Sequence, residues 1–303
     1  MTKPTLSVII PMRENVPEHW LKELSNIKGN VEFILVYPPL VKKLPNIDSR
    51  IQQITSALRG EVIQRITALL NASGTYVLSI NCDEYLNQNI EQIARQYFER
   101  FPNSWFVRLR TESYPYGSQD QLVKEWDIFP SIKELKVKTK ADKNLSESET
   151  LKEISISPLE NKFDPLCLFR PFPGRKDHHG IHQENFDKKI WKNSLIQEGL
   201  ADIVEKFTIF GALKYIPFWC SDRLLGLSMQ AKLYQKGVVK KGQIIAHWLP
   251  KNSVQIRTED NPPQYRGKNR RYVLGEILLL KLYPQYGYFW NLILSQWRTL
   301  IKS

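Results

Sequence analysis

Cysteine is scarce. Three residues, Cys82, Cys167 and Cys220, stand far apart in 303 positions. That number and spacing make neither a disulfide framework nor a zinc site. Reduced thiols in a cytoplasmic setting are the simplest expectation. Long apolar runs are missing as well. The nearest candidate, 273–282, is broken by Gly275, Glu276 and Lys281, so no segment is expected to cross a bilayer. The run from Leu6 to Ile10 is too short for a signal peptide. No internal repeat occurs at a solenoid period. Acids are outnumbered, 31 against 43 Lys and Arg, which leaves a formal net charge of +12 and a pI of about 9.4. Such a surplus favours anionic partners: nucleotides, phospholipid headgroups or nucleic acid. No RNA- or DNA-reading motif is present, so specific nucleic-acid binding is not expected. Weak, salt-dependent contact is all the charge implies there.

What remains is ordinary globular material, 42% hydrophobic and 24% charged. Leu6 to Ile10 is a short β-branched run closed by Pro11, and reads as a buried first strand. Residues 16–25 have helical spacing with Pro17 near the start. Val31 to Tyr37 is a second strand, stopped by Pro38 and Pro39. Ile51 to Leu70 contains a helical pattern, and Gly74 sits where a C-cap would. Tyr76 to Ile80 is a further strand, Asn89 to Phe101 a helix, and Trp105 to Arg110 alternates as a strand does. Strand and helix alternate to about residue 110, which predicts an α/β fold: a mostly parallel mixed sheet with helices on both faces. Ser131 to Ile156 is rich in Lys, Glu and Ser and reads as a solvated excursion. Helical spacing returns over 190–209 and 222–235, with a late strand over 243–247. From Lys251 onward nine Lys or Arg face three acids, and two amphipathic helices are expected, over 269–282 and 288–301.

The strand Tyr76 to Ile80 stops abruptly at the polar turn Asn81, Cys82, Asp83, Glu84. In open α/β sheets ligands bind just outside the carboxyl ends of strands. A carboxylate there can hold a divalent cation, and the cation a diphosphate. The same four residues also suit a plain acidic turn.

Leu6 to Pro11, the run Arg65 to Gly74, the Asn81–Glu84 turn and the segment Phe210 to Gly237 together resemble glycosyltransferase family 2, over roughly residues 5–250. In that last segment a Phe218-Trp219 pair precedes Ser221 and Asp222, then a helix, then Gly237. The resemblance implies a GT-A type fold, with a nucleotide-binding half over 1–110 and an acceptor half over 111–250, and leaves 251–303 as a basic, aromatic, helical extension. It implies a nucleotide-sugar donor, a saccharide or lipid-linked acceptor, a divalent metal (Mn2+ or Mg2+) and inversion at the anomeric carbon. Asp83 matches the metal-binding acid of the family's Asp-x-Asp motif. Asn81 stands in place of the first acid, and Glu84 is a possible substitute. Asp222 matches the catalytic base, although Asp also suits a helix N-cap there. Ser221 replaces the acid that usually precedes it.

By the same resemblance Pro11, Arg13, Glu14, Asn15, Tyr37, Arg65 and Asn81 would contact the donor, while Trp219, Ser221 and Arg223 would face the acceptor. Tyr37 stands where an acid usually reads the base, and would offer a ring to stack on. Ile66 replaces an Asn. His247 would complete the metal shell, or it is a packed residue after an apolar strand. His178, His179 and His182 read as an acceptor-side loop rather than a transition-metal site. No Gln-x-x-Arg-Trp sequence is present, which points to single additions rather than a processive polymerase. Aromatic and basic residues over 265–301 suit peripheral contact with the inner face of a membrane. The competing reading is a catalytically inactive relative that binds saccharide or protein, because Asn81, Ser221, Ile66 and Tyr37 all depart from the family pattern.

Overall fold

The computed structural model describes residues 3–139, 141–142, 144–172, 185–206, 218–235, 239–259 and 272–301. The strands in chain order are β1 (Leu6–Pro11), β2 (Val31–Tyr37), β3 (Ile51–Thr55), β4 (Tyr76–Ser79), β5 (Glu84–Leu86), β6 (Phe106–Arg108), β7 (Thr111–Tyr114), β8 (Lys136–Lys138), β9 (Thr150–Ser155), β10 (Lys189–Lys192), β11 (Ile244–Trp248) and β12 (Ile256–Glu259). The helices are α1 (Glu18–Ser25), α2 (Glu61–Asn71), α3 (Ile90–Arg100), α4 (Gln119–Leu122), α5 (Asn193–Lys206), α6 (Phe218–Gln235), α7 (Tyr272–Leu282) and α8 (Gly287–Ile301).

A nine-stranded sheet runs β3-β2-β1-β4-β10-β6-β11-β9-β8, and β5-β12-β7 form a smaller one. The strands β3, β2, β1 and β4 are mutually parallel, and β10 enters antiparallel between β4 and β6. Side chains alternate across the large sheet as the pleat requires. Ile9, Ile34, Val36, Val77 and Phe106 face a core shared with α2, α5, α6, α7 and α8. Leu6, Val8, Ile10, Phe33, Leu35, Leu78 and Val107 face the opposite core, under α1 and α3. The predicted mixed sheet with helices on both faces is therefore the observed one.

Several expectations change in detail. Ile51–Thr55 is a strand parallel to β2 rather than helix, because Ile51 and Ile54 pair with Phe33 and Val36 and α2 begins only at Glu61. Gly74 is not the cap of α2, which ends at Asn71. Its constraint is space: a Cβ would lie 2.6 Å from the Ser7 hydroxyl and 2.7 Å from the Ser7 nitrogen. Lys189–Lys192 is a strand placed before α5, with Ile190 and Trp191 wholly buried. The excursion 131–156 contributes β8 and β9 to the sheet, since Leu151, Ile154 and Ile156 are buried in an otherwise charged stretch. Charged residues on such an outermost strand discourage pairing with other chains. A boundary at residue 250 passes between β11 and β12. Beyond it, β12 pairs with β5 and β7, and Leu279, Tyr283, Tyr288 and Phe289 belong to the main core. Among the described residues no helix is long and apolar enough to cross a membrane.

Candidate active site

The carboxyl ends of β1, β2 and β4 open on one side of the sheet, and the antiparallel β10 brings its own beginning to the same side. Lys188, just before β10, donates its backbone N–H to the Ser79 carbonyl at 3.1 Å. Leu109, just after β6, donates to the Lys188 carbonyl at 3.0 Å. Lys188 itself has φ of 56°, a left-handed conformation unusual for a residue with a side chain. The turn after β4, the loop before β10 and the end of β6 thus form one seam.

Arg65 lies at the centre of this seam. It projects from α2 and is 1% exposed. Its guanidinium donates to Asn81 Oδ1 at 2.7 Å, to Glu61 Oε1 at 2.7 and 3.0 Å, and to the Ser79 hydroxyl. It also stands 3.7 Å from Asp222 Oδ1. Burial works against its charge, but Asp222 and Glu61 outweigh burial and hold its pKa above the ordinary value.

Asp222 lies inside α6, four residues after the helix begins at Phe218, so it is not the N-cap. Its main-chain carbonyl accepts the Phe186 N–H at 2.9 Å. This bond sets the Asp222 carboxyl within hydrogen-bonding reach of Asp187. Burial first, and Asp187 second, raise the Asp222 pKa well above the usual carboxylate range. Burial also acts on Asp187, but Lys188, Arg108 and Arg65 together pull its pKa down. Arg108 on β6 donates to the Asp187 carbonyl at 2.5 Å and lies 4.0 Å from Asp187 Oδ1. Two carboxyls this close cannot both ionise freely, so one proton is shared and Asp222 is its main holder.

The turn after β4 is braced from within. Glu84 accepts the Asn81 backbone N–H at 2.8 Å and pairs with Lys188 Nζ at 3.0 Å while almost fully buried. Burial raises the Glu84 pKa, and Lys188 only partly offsets that. Glu84 is therefore committed to the fold of the turn, and Asn81 to Arg65. Asp83 differs: its side chain is 20% exposed and faces the more exposed Arg13 at 3.3 Å. Cys82 is buried, and burial together with Asp83 pushes its thiol up to about 12, so it stays protonated and inert.

Beside Arg13 a cleft of about 470 Å³ opens between the loop after β1 and the loop after β2, lined among others by Asn15, Tyr37, Lys42, Lys43 and Leu44. Asn15 turns the loop with φ of 61°, which Asn tolerates. Tyr37 is part of the floor but is buried, and the Leu44 N–H donates to its hydroxyl at 3.2 Å. It shapes the cleft and offers no open ring face for stacking. Pro11 is buried at the end of β1, opposite Val36. Glu14 makes an exposed ion pair with Arg59 at 3.5 Å, an arrangement that contributes little.

Two residues lie elsewhere. Arg223 is buried and pairs with Glu276 of α7 at 2.9 Å, so it ties α6 to α7 instead of facing an acceptor. His247 is buried on β11, its Nδ1 2.8 Å from the Tyr97 hydroxyl and its ring against Phe101. Burial and Arg100 lower its pKa to about 4. These partners explain its place as packing under α3. The side chains of Trp219 and Ser221, and the stretch holding His178, His179 and His182, lie outside the described residues, as do Tyr265, Arg266, Lys268, Arg270 and Arg271. Sequence reasoning missed Asp187, Lys188 and Arg108. The signal that would have exposed them is the short apolar pair Ile190-Trp191 read as a strand rather than as the start of a helix.

Among the described residues no cluster of three His, Cys, Asp or Glu is disposed to hold a metal ion. Mg2+ and similar ions are nevertheless often held by one or two carboxylates with waters and substrate phosphates. The partly exposed Asp83 fits that limited role, while Glu84 and Asn81 are already engaged.

No protein-family model and no curated protein matches the chain by sequence. Solved structures do resemble it. S. aureus TarS 1–349 in complex with UDP-GlcNAc superposes with a TM-score of 0.53 at 13% identity, covering 99% of this chain and 73% of that one. A second structure of the same fragment gives 0.51 at 12% identity, covering 99% and 72%. The complex of that fragment with UDP gives 0.50 at 13% identity, covering 97% and 70%. At such identity the likeness speaks for architecture alone: the chain has a GT-A-type fold, a large mostly parallel sheet flanked by helices.

Proposed function

We propose that this protein is an inverting, non-processive glycosyltransferase that moves a sugar from a nucleotide-diphosphate donor to a hydroxyl of a saccharide or lipid-linked acceptor. One observation carries the reading. Arg65 binds Asn81 of the turn after β4 and also stands 3.7 Å from Asp222, so one buried cation joins the expected diphosphate side to the expected base. The likeness to TarS bound to UDP-GlcNAc supports a nucleotide-sugar donor.

The nucleoside would lie in the cleft beside Arg13, with Lys42 and Lys43 supplying further positive charge. The diphosphate would lie against Arg13 and Asp83. Mn2+ or Mg2+, held there by Asp83, would neutralise the leaving diphosphate. Asp222 would take the proton of the acceptor hydroxyl as its oxygen attacks the anomeric carbon from the face opposite the diphosphate. General-base help of this kind is worth about 10²- to 10⁴-fold in rate. Asp187 would keep the Asp222 proton affinity high, which makes it a stronger base once it is ionised.

The test is calorimetry with UDP, GDP and dTDP, with and without Mn2+, followed by transfer assays on Asp222→Ala. Binding of one nucleotide, with turnover abolished in the variant, supports the proposal. Full turnover in Asp222→Ala would overturn the base. Absence of any nucleotide binding would favour the inactive, binding-only relative.

A further inference from the structure

A second concave surface lies away from the Asp222 group. It is a groove of about 570 Å³ between the turn at 160–163 and the beginning of α8, lined by Glu160, Lys162, Phe163, Gln285, Tyr286 and Trp290 among others. That volume falls within the range of small-ligand sites, ~300–1,000 Å³. Glu160 lies beside Tyr234, near the end of α6, whereas Asp222 lies near its start. At 1.5 Å per residue the two positions are about 18 Å apart along the helix.

The groove is held rigid. Trp290 Nε1 donates to the Pro284 carbonyl at 2.9 Å, which fixes the plane of the indole. Asn291 donates to the Lys162 carbonyl and accepts the Asp164 N–H, at 2.8 and 2.7 Å. Gly287 lets the turn close on α8, since a Cβ there would lie 2.1 Å from the Asn161 carbonyl oxygen. Phe163 and Trp290 meet edge to face at 76°, yet remain 55% and 41% exposed. Two open aromatic faces on a fixed frame, left bare at the surface, mark a binding site more than a packing defect.

The lining chemistry selects the ligand. The groove carries one carboxylate and one ammonium, Glu160 and Lys162, so it presents no cationic cluster for phosphate or an anionic headgroup. Around the aromatic faces it offers amides and charged groups that both donate and accept hydrogen bonds. A pyranose ring matches both features, with C–H faces that lie flat on an aromatic ring and a rim of hydroxyls. We infer that this groove is a saccharide-binding site, distinct from the proposed catalytic cleft, that takes a short neutral oligosaccharide. The assignment does not depend on the transferase reading, and a wild-type outcome for Asp222→Ala would leave it intact.

The experiment is saturation-transfer NMR of the full chain with maltotriose, cellotriose and triacetylchitotriose. Saturable binding of at least one is expected. Trp290→Ala and Phe163→Ala should each weaken it at least tenfold, while Trp297→Ala, an exposed Trp outside the groove on the same helix, should leave it unchanged. If Trp290→Ala does not fold, Phe163→Ala decides. No saturable binding of any of the three sugars, or binding indifferent to Phe163→Ala, would overturn the inference. So would Trp290-dependent sedimentation with phosphatidylglycerol vesicles in the absence of sugar binding.

Discussion

The carboxyls of Asp187 and Asp222 lie within hydrogen-bonding reach, brought together by the bond from the Phe186 N–H to the Asp222 carbonyl at 2.9 Å. Asp222 holds its proton to higher pH than a free carboxyl, through burial and the Asp187 charge. The acidic limb of kcat/KM should therefore lie above the ordinary carboxylate range. Asp187→Asn removes the neighbouring charge, so that limb should move to lower pH, with KM for the nucleotide sugar unchanged. A limb that stays in place would show that Asp187 does not act on the base.

The same pair makes a stability prediction. The folded pKa of Asp222 lies above its unfolded value, so the fold favours the protonated form. That contribution is full below the unfolded pKa and is lost as pH rises through the folded one. Asp222→Asn, neutral at every pH, should thus melt higher than wild type at pH 8, while turnover falls by about 10²- to 10⁴-fold. Thermal melts at pH 5 and pH 8 check the sign: the gap between the two proteins should widen with pH.

Arg65 should tolerate little change. It is buried and serves Glu61, Ser79, Asn81 and Asp222 at once. Arg65→Ala would leave buried carboxylates without their cation, a defect that costs about 3–5 kcal/mol. Arg65→Lys should recover only part of this, because a single ammonium cannot reproduce the planar fork. Urea unfolding of both variants gives the comparison.

How much of this was legible in the sequence depends on the range of the contact. The strands β1, β2 and β4 announce themselves as apolar runs cut off by Pro11, Pro38 or Asn81, because each is buried on both faces. Asp83 stood out as an acid in the polar turn that closes a strand, whereas Asp222 was singled out by the family resemblance alone. Asp187 was announced by nothing more than the neighbouring Ile190-Trp191 pair, because its meaning comes from β10 entering antiparallel between β4 and β6, a pairing between segments about 110 and 80 residues apart. Ile51–Thr55 was absorbed into a helical pattern because five residues of mixed burial have little periodicity of their own. Arg223 shows the limit for side chains: its partner Glu276 lies 53 residues away.

His247 gives a prediction of opposite sign to Asp222. It is buried against Tyr97 and Phe101, and its pKa falls to about 4. The fold favours the neutral ring, so this contribution is present above the unfolded value near ~6.5 and is lost as pH falls through about 4. The loss is on the order of 3 kcal/mol. His247→Gln keeps a polar partner for Tyr97 without a titrating group. Its stability should fall less steeply than wild type between pH 6.5 and pH 4 in urea titrations.

Metal binding should require the nucleotide. Asp83 is the carboxylate of its turn left partly open, and Arg13 at 3.3 Å already competes for it. One carboxylate facing a guanidinium is a poor Mn2+ site, since ligand charge sets affinity. A diphosphate changes both terms: it adds oxygen ligands and gives Arg13 an anion of its own. Electron paramagnetic resonance of Mn2+ should therefore show little binding to the protein alone and clear binding once UDP, GDP or dTDP is present. Asp83→Asn should weaken the nucleotide-dependent binding by about tenfold or more. His247→Gln should leave it unchanged, because that ring is engaged with Tyr97. Strong Mn2+ binding by the free protein would mean that ligands other than Asp83 hold the ion.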